Sequence, residues 1–264
     1  MKNLKFGMKG KAVAELQRAL IQQGYQIEET ADFDEATEKA LIAYQTTHNL
    51  LADGIFGRDT AASLHSNNTS KFLKESDITE AAKLLSVDVA SVKAVVQVES
   101  AGSGYLKEGR LRVKILFERH KFYELLHKKD PAKAKKVHAE VPHICNPKSG
   151  GYLGGVGEYP RLARAMEIDP EIGMMSASWG LFQIMGFNHK AAGYQTIHDF
   201  VDAMKESEGK QLLAFANFIK AHKTMHLALQ KQDWATFAKL YNGPAYKKNN
   251  YDSKLANAYA RYQH

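Results

Sequence analysis

Glu99 closes the stretch KAVVQVESAG (93–102), where Val95, Val96 and Val98 precede it and Gly102 follows. The stretch reads as the end of a helix over 89–100. A helix C-terminus carries partial negative charge, and apolar neighbours withhold water. Both disfavour an ionised carboxylate and push its pKa up. An acid that keeps its proton near neutral pH is what protonation of a glycosidic oxygen requires. Taken alone, Glu99 fits better a last-turn glutamate whose side chain reaches solvent. Glycoside cleavage commonly uses a second carboxylate. Glu118 ends the run LRVKILFE (111–118), in which Leu111, Val113 and Ile115 alternate with Arg112 and Lys114 as in a strand. Such a strand would return Glu118 to a cleft; the rival reading pairs it with Arg112, Arg119 or His120. Glu108 and Glu158 are weaker candidates on loops.

Other chemistries find less support. His222 and His226 lie one helical turn apart, but HKTMH lacks the glutamate of a zinc-protease helix. The spacing of His138, His143 and Cys145 matches no common zinc site. Cys145 is the sole cysteine, which excludes an intrachain disulfide. No phosphate-binding or dinucleotide fingerprint occurs. The expectation is no metal and no cofactor.

The elements that must position Glu99 are mostly helices. The 264 residues are 44% hydrophobic and 25% charged, as in a soluble globular protein with room for two domains. The sequence predicts a helix stopped by Gly24, a second capped by Asp34, a turn at Asp53-Gly54 and a short helix from about Gly57 to Leu64. The polar HSNNTSKFLKESD stretch (65–77) reads as a linker, and Asp77 with Glu80 has the spacing of a helix start. Further helices are expected at 78–85, 119–127, 131–139, 158–167, 197–206, 208–221, 224–231, 233–241 and after Ser253, with a Gly-rich loop over 143–160. No strand–helix–strand alternation appears, so the class is mainly α (α+β) with a small β element rather than a parallel sheet.

Charge is uneven. The chain carries +7, but residues 1–65 are net −2 and the remainder net +9. A basic second part suits an anionic partner; the lack of nucleic-acid motifs argues against nucleic acid. The start MKNLKFGMKG lacks the apolar core of a signal peptide, and no run approaches the length of a membrane span.

Residues 1–65 resemble the three-helix peptidoglycan-binding module of cell-wall hydrolases. The likeness is carried by Gly7, Gly10, Val13, Leu16, Gln17, Leu20, Gly24, Phe33, Thr37, Ala40, Tyr44, Gln45, Asp53, Gly54, Gly57 and Thr60. It implies a binding surface near Asp53, Gly54, Phe56 and Arg58. The stretches VESAGSGY, SASWGLFQIMG (176–186) and FAKLYNGPAY (237–246) occur in the order of the lysozyme-like superfamily of goose-type lysozymes and lytic transglycosylases. Phe182 stands where Met is frequent, and Gly243 where Ala often follows the Asn. The run from Val98 to Leu126 is similar to the N-acetylmuramidase domain of bacteriophage endolysins.

The resemblance implies a module over 1–65, a linker over 66–76 and a lysozyme-like domain over 77–264. It implies Glu99 as general acid and Ser178, Trp179, Gln183, Tyr241 and Asn242 as substrate-binding residues; Glu118, from the strand reading above, is the candidate second catalytic carboxylate. Trp179 fits a core anchor as well as a sugar platform, Tyr241 could orient Glu99 or simply pack, and Gln183 and Asn242 could cap backbone. The implied activity is cleavage of the MurNAc–GlcNAc β-1,4 bond; a lytic transglycosylase or a non-catalytic wall-binding phage component are the alternatives. Implied partners are peptidoglycan glycan strands and a holin, for a monomer made in the host cytoplasm, without stable membrane insertion, that acts in the periplasm of a Gram-negative host.

Overall fold

The computed structural model describes residues 3–65, 70–100, 102–106 and 112–263. At the N-terminus, α1 (Lys11–Gln22), α2 (Glu35–Thr47) and α3 (Arg58–His65) enclose a core that includes Leu16, Leu20, Phe33, Leu41, Tyr44 and Phe56. Asp34 caps α2 by accepting from the Thr37 amide at 2.8 Å. Two buried glutamines hold the turns. Gln17 Oε1 accepts from the Thr30 and Ala31 amides, and its Nε2 donates to Thr37 Oγ1 and the Asp32 carbonyl. Gln45 repeats the arrangement: Oε1 accepts from the Gly54 amide, and Nε2 donates to Asp53 Oδ1 and the Ile55 carbonyl. Each buried amide is thereby satisfied, which removes the cost of burying it.

A second, larger core gathers the helices that follow: α4 (Glu75–Leu85), α5 (Val89–Glu99), α6 (Arg119–Lys129), α7 (Pro131–Glu140), α8 (Glu158–Ile168), α9 (Pro170–Met175), α10 (Ile197–Glu206), α11 (Glu208–Ala221), α12 (Lys223–Gln230), α13 (Trp234–Asn242) and α14 (Tyr251–Tyr262). Phe117, Phe122, Phe200, Phe215 and Phe237 are its fully buried anchors. Helix α4 begins before Asp77, whose carboxylate reaches back to the Lys74 amide from within the first turn. Phe72 and Leu73 are buried, so the packed chain starts inside the stretch expected to be linker.

One antiparallel sheet joins β1 (Ile115–Phe117), β2 (Ala177–Trp179) and β3 (Ile184–Met185), with Ile115 opposite Trp179, Phe117 opposite Ala177, and Trp179 opposite Ile184. The strand expected over 111–118 is thus confined to its apolar centre. Val113 makes an isolated bridge to Tyr105, and Leu111 lies outside the described residues. The Gly-rich loop is fastened at its base. Glu158 Oε1 accepts from the Leu153 and Gly154 amides, and its Oε2 accepts from the Phe117 amide and from Arg161 Nη1 at 2.6 Å. Glu158, a loop candidate for catalysis in the sequence, is therefore a fully buried strut of α8.

The small module is docked on the large core along its 51–59 turn. Leu51 packs against the larger cluster. Lys93 of α5 donates to the Ala52 carbonyl at 3.1 Å and pairs with Glu75 at 2.8 Å, while the Ala52 amide donates to Glu75. Arg261 of α14 reaches the Asp53 carbonyl, and Arg58 donates to the Tyr105 carbonyl at 3.3 Å.

Glu158→Ala leaves Arg161 buried without its ion partner and should cost about 3–5 kcal/mol in urea-unfolding stability. The paired change Glu158→Leu with Arg161→Met should recover much of that loss, because two apolar groups leave no uncompensated charge.

Candidate active site

Glu99 is the last residue of α5, and Ser100 ends the helix in an extended conformation. Among the described residues its half-buried carboxyl accepts one hydrogen bond, from Asn242 Nδ2 to Oε1 at 2.9 Å. Loss of hydration pushes its pKa up to about 7, and the Asn242 bond pulls the other way. Asn242 is the last residue of α13, which stops at Gly243 with φ 79°. The two helix ends thus face each other, one carrying the acid and the other a neutral donor.

Tyr241 stands beside Asn242, and the charge of Glu99 contributes to raising its pKa after the larger effect of burial. Its hydroxyl donates to the Phe182 carbonyl at 2.9 Å, and its ring packs edge-on against Phe215. Phe182 belongs to the turn between β2 and β3. The next residue, Gln183, adopts a left-handed backbone at φ 50°, which is uncommon outside glycine. Its amide is used internally: Oε1 accepts from Ser178 Oγ at 2.9 Å and Nε2 donates to the Gly180 carbonyl at 2.8 Å.

Several expected sugar contacts are corrected here. Trp179 is 3% exposed, on the core side of β2, and its indole donates to the Met174 carbonyl; it anchors the core and offers no face to a sugar. Ser178 is also buried, with its hydroxyl occupied by Gln183. These two residues and Gln183 build the turn that Tyr241 leans on. Asn242 directs its amide to Glu99 instead of outward.

Glu118 is tied up elsewhere. Its carboxylate accepts from the Tyr152 hydroxyl at 2.7 Å and lies 3.1 Å from His120 Nδ1. Its amide donates to the Ser176 carbonyl, before β2, whereas Tyr241 meets the turn after β2. The three residues of β2 lie between those two points. Glu108 lies outside the described residues.

The residues expected to form the glycan surface of the small module make contacts within the protein. Phe56 is buried and bridges Leu4. Asp53 Oδ1 accepts from Gln45 and from the Ile55 amide, and burial pushes its pKa up to about 6. Gly54 is buried against Glu38, and Arg58 points into the large domain. A turn committed to its own fold and to a neighbouring domain presents little to a glycan.

Two residues outside the sequence expectations frame the site. Gln211 Oε1 accepts from the Leu181 amide at 2.7 Å, and its Nε2 donates to the Met204 carbonyl. A Cβ on Gly104 would fall 1.9 Å from Gln211, and one on Gly180 2.7 Å away, so both loops must be glycine there to close on it. Glu208, one turn earlier and 1% exposed, accepts from Ser103 Oγ and the Gly104 amide. The available signal was their register: Glu208 and Gln211 share the stripe of α11 with the buried Leu212, Phe215 and Ile219.

A helix-terminal acid with a raised pKa, set in a helical domain with one small antiparallel sheet, defines a glycoside hydrolase of the lysozyme type. The family model described as N-acetylmuramidase matches residues 88–263, and this chain belongs to that family. A second model, described as "Putative peptidoglycan binding domain", matches residues 9–64. The structure is similar to the crystal structure of Burkholderia AP3 phage endolysin, with a TM-score of 0.92, 45% sequence identity and coverage of 99% of each chain. No curated protein matches.

Two outcomes follow from the Glu99 environment. Asn242→Ala removes the bond that favours the ionised form, so the loss of activity on raising pH should move to higher pH, with kcat down on the order of tenfold from lost aim. A pH–rate profile on purified sacculi reads both. The native state also holds a proton on Glu99 that the unfolded chain releases between pH 4.5 and about 7. Stability from this group is therefore full below pH 4.5 and lost as pH rises through 7, by at most about 3 kcal/mol. Glu99→Gln should flatten that decline in urea titrations at pH 5 and pH 8.

Proposed function

We propose that this chain is an endolysin in which Glu99 is the general acid that cleaves the β-1,4 bond between MurNAc and GlcNAc. The observation that carries the reading is the Glu99 carboxyl: pushed up to about 7 by burial and touched by a neutral amide alone among the described residues. Asn242 occupies Oε1, which leaves Oε2 to carry the proton toward the glycosidic oxygen. As the C–O bond breaks, that proton passes to the departing sugar, and the resulting carboxylate keeps the Asn242 bond. It can then take a proton from the group that attacks the oxocarbenium-like carbon.

A second reading concerns that attacking group. Glu118 and Glu158 are both engaged away from Glu99. This favours a mechanism without a carboxylate nucleophile, in which water adds directly or the sugar's own substituents act. Closure by the MurNAc 6-hydroxyl would give the 1,6-anhydro end of a lytic transglycosylase. Ser178, Gln183, Tyr241 and Asn242 serve in this proposal as the wall of the cleft, shaping it more than donating to sugar.

The rest of the proposal is biological. The similarity to a phage endolysin supports action on the cell wall; release through a holin, a periplasmic site of action in a Gram-negative host and a monomeric state belong to the proposal. No helix among the described residues is long and apolar enough to cross a membrane.

Digestion of purified sacculi tests the chemistry. Glu99→Gln should lower kcat by at least about 100-fold while still binding sacculi; full activity would overturn the assignment. Mass spectrometry of the products separates the two outcomes, reducing ends marking hydrolysis and anhydro ends transglycosylation.

A further inference from the structure

In the DGIFGR turn of the small module, Arg58 reaches the other domain. Its guanidinium lies over the Phe72 ring at 5.3 Å, Nη1 donates to the Tyr105 carbonyl, and Nη2 sits 3.7 Å from the Glu208 carboxylate. Glu208 is nearly inaccessible yet takes four partners from three segments: Arg58 from the module, the Leu73 amide at 3.1 Å, Ser103 Oγ at 3.0 Å and the Gly104 amide at 2.8 Å. Ser103 and Gly104 belong to the segment that leaves the catalytic helix after Glu99.

From Gly104 the contacts continue toward the acid. The Gly104 carbonyl accepts from the Lys114 amide at 2.7 Å, and the Lys114 carbonyl accepts from the Gly180 amide at 2.8 Å. Gly180 opens the turn that carries Phe182, on which the Tyr241 hydroxyl rests, and Asn242 next to it holds Glu99. Gln211 braces the same turn from the helix that bears Glu208. Burial and the nearby Asp59 carboxylate push the pKa of Glu208 up to about 7, and the Gly104 amide and Arg58 oppose that rise.

We propose that Arg58 and Glu208 are positioning residues for the muramidase reaction: the binding module, through Arg58, completes the framework that aims Glu99. The module then does more than tether the enzyme, since its docking contributes to kcat on substrates too small to be tethered. The inference rests on the reading of Glu99 as general acid.

The test uses the full chain and soluble glycan strands stripped of peptides, on which tethering to a wall contributes nothing. Arg58→Gln, assayed well below its melting temperature, should lower kcat on the order of 10-fold, with KM within about twofold; displacement of a catalytic group by about an ångström has costs of this size or larger. Glu208→Gln keeps the acceptor oxygen for Gly104 but loses the charge that draws Arg58, and should fall by a similar factor. The double variant should lose no more than the worse single one, because both changes break one connection. The Gly104 amide should exchange faster with deuterium in Arg58→Gln. Binding of each variant to sacculi, in a Glu99→Gln background, should stay unchanged. Unaltered kcat in folded Arg58→Gln, or additive losses in the double variant, would overturn the proposal. Activity retained by Glu99→Gln would instead strike the general-acid reading, and the exchange measurement stands apart from both.

Discussion

A carboxyl group at the C-terminal end of a helix, dried by the packing around it and met by one neutral amide, resists ionisation. Everything in the larger domain that matters for chemistry follows from keeping Glu99 in that condition. A cation in place of Asn242 would pull the proton off at neutral pH. Open water in place of the packed turn at 180–183 would do the same. The opposed ends of α5 and α13 are thus an electrostatic choice, a weak donor where a strong one would spoil the acid.

The sheet is small because its task is narrow. Three short strands set the turn 180–183 at a fixed height above the helices, and Trp179 nails the middle strand to the core. Helix α11 supplies the fastening from below. Two polar side chains from its first turns reach the loops on either side, and both loops are glycine where they meet Gln211. Buried polar groups of this kind hold their geometry because leaving any of them unpaired is costly.

Most of this scaffold was legible in the sequence. Helices α10 and α11 have the bounds expected, and Thr196 and Ser207 cap them. Glu99 and Asn242 stood out by type and position. Helix α9 and strands β2 and β3 did not, being too short to show a period. The parity of β2 was invisible as well: which of Ser178 and Trp179 faces the core is set by register with β1, more than 60 residues away. The Asp53-Gly54 turn could be read as a turn, since its Asp and Gly chemistry is local. What it touches depends on Lys93, Tyr105, Glu208 and Arg261, and no local pattern encodes a meeting of such distant segments.

Because the 51–59 turn is fastened to α5, to α14 and to the segment that follows α5, the anchor and the blade share one frame. An enzyme on a long leash could graze over many bonds from one attachment point. Here the stroke falls at a set offset from the foothold, so each new cut demands a new step. Grip that is too firm would then slow the walk across the lattice, so in such a frame the strength of the hold and the pace of cutting would be set together.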